Sequence, residues 1–184
     1  MSDFPYQPFY CEENVWHLCQ SAPFDGGEVY VVVISNEQGA CPLWNQRACQ
    51  SPSRPIFWDY HVVAVETGGD EDRVWDLDSR LGCPAAFDIW WQGTFPSLEG
   101  FPAEFRPRFR VIDAEDYLRG FSSDRSHMED GEGGYKKPPP SWEPIQQADV
   151  AMNLDRLLDT DDEFLGTWMS DEQFALRVGG QNGT

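Results

Sequence analysis

Val29-Tyr30-Val31-Val32-Val33-Ile34 is the longest apolar run in the chain, and it constrains the fold more than any other segment. From Glu28 to Ser35 the residues are mostly β-branched and apolar at odd and even positions alike. Successive side chains of a strand point to opposite faces, so a run without alternation predicts a strand buried on both sides. The run is far shorter than the roughly 18 residues of a membrane-crossing helix.

Other segments are placed around this strand by their periods. Glu12 to Gln20 puts Val15, Trp16, Leu18 and Cys19 on one side at helical spacing, and Pro23, Gly26 and Gly27 stop that helix. Phe57 to Glu66 and Arg73 to Leu77 read as strands, with a hairpin signal at Thr67-Gly68-Gly69-Asp70 between them. Phe109 to Ile112 reads as a short strand. Ala114 to Phe121, Asn153 to Leu158 and Asp171 to Val178 read as helices. Residues 1–10 form an extended lead-in, and residues 82–105 are aromatic with weak periodicity. Residues 122–140 are expected to be a surface loop and residues 179–184 a flexible tail. The segment after Pro140 is too acidic for a core of its own, so residues 1–184 are expected to be a single domain.

The 8 Trp, 12 Phe and 6 Tyr supply ample core and exclude a wholly disordered chain. Thirteen Lys and Arg stand against 32 Asp and Glu, a net charge of −19. Phosphates need a cationic footprint, so neither a nucleic-acid surface nor a polybasic membrane contact is expected. Met1-Ser2-Asp3-Phe4-Pro5 lacks the basic and apolar regions of a signal peptide, which gives an expectation of the cytosol, with the nucleus open by size. Five cysteines, none in a Cys-x-x-Cys pair, and three scattered histidines read as mostly buried thiols without a metal site.

No Gly-x-Ser-x-Gly, Gly-rich phosphate loop or His-Glu-x-x-His occurs. A cysteine–histidine–carboxylate arrangement remains. Cys11 precedes the first helix, where unpaired amides and the helix dipole favour a thiolate. Glu12 and Glu13 oppose that charge, so the direction of the Cys11 thiol stays open. His61 lies within the second strand. If Gly68-Gly69 is a two-residue turn, Asp76 stands opposite His61; a longer turn brings Asp78 there instead. Asp disfavours strands, and two of them in Trp75-Asp76-Leu77-Asp78 call for a role. His17 reads as a half-buried helix residue, and His127 sits in a polar loop that could line a cleft.

Several short blocks resemble one family. They include Tyr10-Cys11-Glu12-Glu13-Asn14-Val15-Trp16, Pro42-Leu43-Trp44, Trp58-Asp59-Tyr60-His61-Val62-Val63 and Asp76-Leu77-Asp78. Ser123-Asp124-Arg125-Ser126-His127-Met128, Pro138-Pro139-Pro140 and Met152-Asn153-Leu154 follow in the same order. The chain is similar in these to the protein N-terminal glutamine amidohydrolases. The resemblance implies a monomeric, single-domain α/β fold, a three-layer α-β-α sandwich akin to papain-like and transglutaminase-like cysteine hydrolases. It implies deamidation of an N-terminal glutamine to glutamate on proteins or peptides, feeding the N-degron pathway. It places a triad on Cys11, His61 and Asp76, with no metal and no cofactor. Glu13, Asp59 and Asp78, close to that triad in sequence, are candidates to bind the substrate's α-ammonium. A papain-like peptidase or transglutaminase, and a non-catalytic acidic interaction module, are the competing expectations.

Overall fold

The computed structural model describes residues 4–180. The apolar run forms β1 (Glu28–Ser35), and Val31, Val32, Val33 and Ile34 are all fully buried. It pairs antiparallel with β4 (His61–Thr67) on one side and β7 (Arg108–Asp113) on the other. β5 (Arg73–Trp75), β6 (Ala85–Ala86) and β8 (Thr167–Ser170) complete a six-stranded sheet in the order β6-β5-β4-β1-β7-β8. β2 (Cys41–Leu43) and β3 (Ile56–Trp58) pair separately as a two-stranded ribbon.

Both faces of the sheet are covered, as a strand without alternation demands. On one face, Val31, Val33, Val62 and Ala64 pack with Val15 and Leu18 of α1 (Cys11–Ser21), Tyr117 of α3 (Ala114–Gly120) and Leu157 of α4 (Leu154–Leu158). On the other, Val32, Val63, Val65 and Val111 pack with Trp90 of α2 (Phe87–Thr94) and Phe174 of α5 (Asp171–Gly179). Phe109 and Phe174 stack with centroids 4.3 Å apart. The fold is a mixed α/β single domain on an antiparallel sheet.

Sequence and structure diverge in a few instructive places. The strand expected from Phe57 to Glu66 is broken: Asp59 and Tyr60 leave the ladder. The Asp59 carboxylate accepts the Tyr60 N–H at 3.0 Å, and Ser35 donates its hydroxyl to the Asp59 carbonyl at 2.7 Å. A side chain that bonds its neighbour's backbone replaces a ladder bond with a local turn. The hairpin is longer than a two-residue turn. Ala64 faces Trp75 and Glu66 faces Arg73, so residues 68–72 form the connection. Asp72 accepts the Gly68 N–H at 3.3 Å, and Gly68 takes φ 85°, a conformation natural to glycine. β5 also ends at Trp75, earlier than expected.

Helix α2 is hidden in the aromatic segment, because a helical period is read over roughly 11–18 residues, α2 has 8, and apolar residues surround it. Residues 122–140 are less superficial than a surface loop: Ser122, Ser123 and Arg125 are buried. Of the expected tail, Gly179 closes α5, and residues 181–184 lie outside the described residues.

Candidate active site

Cys11 is the first residue of α1. The helix has no side-chain cap; Tyr10 contributes its carbonyl to the Asn14 N–H at 2.9 Å. Asn14 in turn pins the lead-in, exchanging hydrogen bonds of 2.8 Å with both the N–H and the carbonyl of Gln7. The Cys11 side chain is 8 % exposed and lines a cavity of about 340 Å³. Trp58, Asp59, Tyr60, His127, Lys136, Lys137 and Leu154 are among the other walls. The Val62 backbone N–H donates toward the sulfur, which sets Cys11 beside the start of β4.

His61 opens β4, opposite Ile34 of β1, and is buried. Its Nε2 lies 2.9 Å from Asp76 Oδ1. Asp76 accepts there, so Nε2 carries the proton and Nδ1 is the basic nitrogen of the neutral ring. Nδ1 is buried and has no hydrogen-bond partner among the described residues. Trp58 stacks on the ring at 5.7 Å and fixes its plane.

Asp76 meets His61 by a route that neither turn register foresaw. Extending the observed pairing past Trp75 would bring Asp78 opposite His61, with Asp76 diagonal to it. The chain turns at Asp76 instead. Its Oδ1 accepts the Asp78 N–H at 3.1 Å, and its carbonyl accepts the Ser79 N–H at 3.1 Å. The second oxygen, Oδ2, accepts from Trp90 Nε1 at 3.0 Å and Gln46 Nε2 at 3.1 Å. Trp90 and Gln46 carry no motif of their own; a buried Trp on a short helix reads as core.

Charge follows from these contacts. Burial alone would raise the Asp76 carboxyl, but the His61 charge and the hydrogen bonds from His61, Trp90 and Gln46 outweigh it and hold it below the usual range. Burial alone would depress the His61 imidazole, but the Asp76 carboxylate outweighs it and leaves the ring raised. Burial, then the charges of Glu12 and Asp78, push the Cys11 thiol well above the ordinary thiol range. The direction left open by the sequence is therefore upward, in favour of the protonated thiol. Burial pushes Cys19 and Cys41 up to about 12 as well, and neither of them lines this cavity.

The three candidates for the α-ammonium separate. Glu13 receives Arg125 Nε and Nη2 at 2.8 Å each and Trp142 Nε1 at 2.7 Å, all away from the cavity. Asp78 is buried and accepts the Tyr6 hydroxyl at 2.5 Å; its carboxyl is raised, first by burial. Asp59 is exposed and lines the cavity with Cys11. His127 also reaches the cavity wall, 3.4 Å from the Tyr60 hydroxyl, whereas His17 is wedged edge-on between Trp16 and Trp142. Among the described residues no cluster of three or more His, Cys, Asp or Glu is arranged to hold a metal.

A buried thiol at a helix start beside a histidine oriented by a carboxylate can carry out acyl transfer. Comparison with known proteins narrows the chemistry. A sequence model described as N-terminal glutamine amidase matches residues 6–178. Protein N-terminal glutamine amidohydrolase of Bos taurus is 40% identical over 185 residues, covering 96% of this chain and 88% of that protein. The Homo sapiens protein of the same name is 38% identical over 185 residues, covering 96% and 89%. The Caenorhabditis elegans protein of that name is 38% identical over 169 residues, covering 91% of each.

Proposed function

The chain belongs to the N-terminal glutamine amidase family, and from that premise we propose that it hydrolyses the side-chain amide of N-terminal glutamine on proteins and peptides, leaving glutamate and ammonia. The mechanism we infer uses Cys11, His61 and Asp76. The Cys11 thiol passes its proton to His61 Nδ1 as the sulfur attacks the carboxamide carbon. The imidazolium gives that proton to the departing ammonia, and a thioester remains. Neutral His61 then takes a proton from water, whose oxygen attacks the thioester. Glutamate leaves and the thiol is restored. Asp76 fixes the ring tautomer and stabilises the imidazolium throughout. In this reading the oxyanion is taken by the backbone N–H of Cys11, which as the first residue of α1 has no carbonyl partner within the helix.

One observation carries this mechanism: His61 gives Nε2 to Asp76 at 2.9 Å and keeps a buried, unpartnered Nδ1 next to the residue whose N–H meets the Cys11 sulfur. The helices on both faces of the sheet support the finer reading of a papain- or transglutaminase-like α-β-α sandwich. Asp59 is the candidate that the cavity favours for direct contact with the α-ammonium. We place the activity in the cytosol and nucleus, in a monomer, with the new N-terminal glutamate available to the N-degron pathway.

The test is the product formed from a peptide that begins with Gln. A mass gain of about one dalton with ammonia release is what amide-to-acid conversion requires. Cleavage of the chain would indicate a peptidase, incorporation of an added amine a transglutaminase, and an unchanged peptide a binding module.

A further inference from the structure

Glu12 is fully buried next to the nucleophile and has no part in the mechanism above. Its Oε2 lies 3.7 Å from the Cys11 sulfur. Its Oε1 has no hydrogen-bond partner among the described residues; His127 Nε2 stands 3.5 Å away without the geometry of a bond. No Lys or Arg is ion-paired with it among the described residues. A buried carboxylate is normally paired or heavily hydrogen-bonded, because removing its water is expensive. Glu12 has only weak partners, the Cys11 thiol donating to Oε2 and the Tyr60 hydroxyl facing the carboxylate, with no Lys or Arg among the described residues to balance it, and its charge opposes a thiolate.

We propose that Glu12 makes the attack of Cys11 conditional on a free N-terminus: the substrate's α-ammonium offsets the buried carboxylate and so releases the thiol to ionise. This rests on the deamidation proposed above.

Substrate geometry supports the assignment. The α-nitrogen of glutamine is four bonds from the carboxamide carbon, about 4–5 Å in space. When that carbon sits over the Cys11 sulfur, the ammonium lies at a distance comparable to that of the Glu12 carboxylate. An α-amino group has a pKa of about 8 and is mostly cationic at neutral pH. Tyr60 and His127 line the cavity and both face Glu12, so one side chain's thickness of low-dielectric wall separates the two charges. The other charges around Cys11 are those of Asp59, Asp78 and the His61–Asp76 pair, and the same cavity wall carries exposed Asp155, Lys136, which is bonded to the His127 carbonyl, and Lys137, which lies over the Phe9 ring. Of the carboxylates among them, Asp76 and Asp78 are bonded to His61 and Tyr6, and Asp59 is open to solvent. Among the described residues, Glu12 alone is buried beside the sulfur with an oxygen that has no hydrogen bond. An internal glutamine brings a neutral amide in place of the ammonium and leaves Glu12 opposing the thiolate. The N-terminus is then read in the chemical step as well as in binding.

The experiment is a cycle between enzyme and substrate. Two peptides are compared, identical except that one lacks the α-amino group of its first residue. Ammonia release is measured to saturation with the unaltered protein and with Glu12→Gln, each checked by thermal melting. Loss of the amino group should lower kcat of the unaltered protein by roughly a hundredfold and that of Glu12→Gln by about tenfold or less. Without substrate, iodoacetamide should modify Cys11, identified by peptide mapping, roughly tenfold faster in Glu12→Gln at neutral pH. Equal losses in both proteins, or unchanged alkylation of Cys11, would overturn the inference. If Glu12→Gln does not fold, the unaltered protein decides: a des-amino peptide that raises KM and leaves kcat intact overturns it, and a fall in kcat supports it. Failure to deamidate the Gln peptide at all would instead bring down the activity on which the inference stands.

Discussion

Glu12 and Glu13 are neighbours in the first turn of α1, both fully buried, and their surroundings are opposites. Glu13 faces the rear of the helix. It holds the Arg125 guanidinium by two bonds and the Trp142 indole by a third, and Arg125 also reaches the carbonyls of Pro140 and Trp142. That node ties the 122–142 segment to the helix that carries the nucleophile. Glu12 faces the Cys11 side, with one oxygen accepting from the thiol and the other without a hydrogen bond among the described residues. Acids in a first helical turn suit the dipole equally at either position. The comparison teaches that a shared local reason for two residues says nothing about their tertiary roles: here one fastens the scaffold, and the other leaves charge unbalanced where chemistry happens.

The largest expected effect belongs to the cavity side alone. Cys11→Ala should abolish ammonia release with the melting temperature little changed, and alkylation in the unaltered protein should inactivate by modifying Cys11 ahead of Cys19, Cys41, Cys49 and Cys83. Inactivation that maps to another cysteine would remove Cys11 from the mechanism.

Next come the residues that orient the base. His61→Ala should be nearly as damaging as Cys11→Ala, since members of one unit are not additive. Asp76→Asn should lower kcat by roughly a thousandfold or more, because an amide can turn the imidazole to the wrong tautomer. Asp78→Asn should do far less, since it keeps an acceptor for Tyr6 and has no bond to His61. Equal losses for Asp76→Asn and Asp78→Asn in a steady-state assay would break that distinction.

The rear of the helix should respond in stability rather than in rate. Arg125→Met leaves Glu13 buried without its cation and should lower unfolding free energy by about 3–5 kcal/mol in urea denaturation. The folded fraction should keep most of its kcat. A variant that stays as stable as the unaltered protein would mean that the node does not fasten the loop.

The smallest effects lie in pH dependence and sharpen the picture of the His61–Asp76 pair. His61 is raised in the folded state, so its contribution to stability is full below the unfolded histidine value, about 6.5, and is lost as pH rises through the folded value. Asp76 is lowered, so its contribution is present above the unfolded value, about 3.9, and is lost as pH falls through the folded value. The pair should therefore stabilise most between about pH 4 and 6.5, and His61→Gln should flatten the urea midpoint on the alkaline side of that window. A profile unchanged by His61→Gln would show that the pair adds nothing to folding.

Periodicity made much of the fold legible. The all-apolar β1, the helix after Cys11, and the helices at 114–120 and 171–179 are legible in the sequence, the helices because their apolar residues stand out against polar neighbours, which those of α2 do not. The short strands at 41–43, 85–86 and 167–170 do not, since two to four residues carry none and only a paired neighbour makes them strands. In the site, Cys11 and His61 could be singled out locally. The choice between Asp76 and Asp78 could not, because it depends on where β5 lets go of β4.

The sequence by itself determined that β1 is buried on both faces, that a cysteine stands at a helix start, and that a histidine and two aspartates flank one hairpin. These are short-range matters of side-chain period, capping and turn chemistry. Tertiary structure alone decided that Asp76 closes on His61 under the hands of Trp90 and Gln46, that Arg125 comes from over a hundred residues away to claim Glu13, and that Glu12 is left beside the thiol. The physical reason is that burial and pairing depend on what arrives from elsewhere in the chain. A carboxylate's water is replaced by whichever donors the packed core brings to it, and no local pattern records which of two adjacent glutamates will receive them.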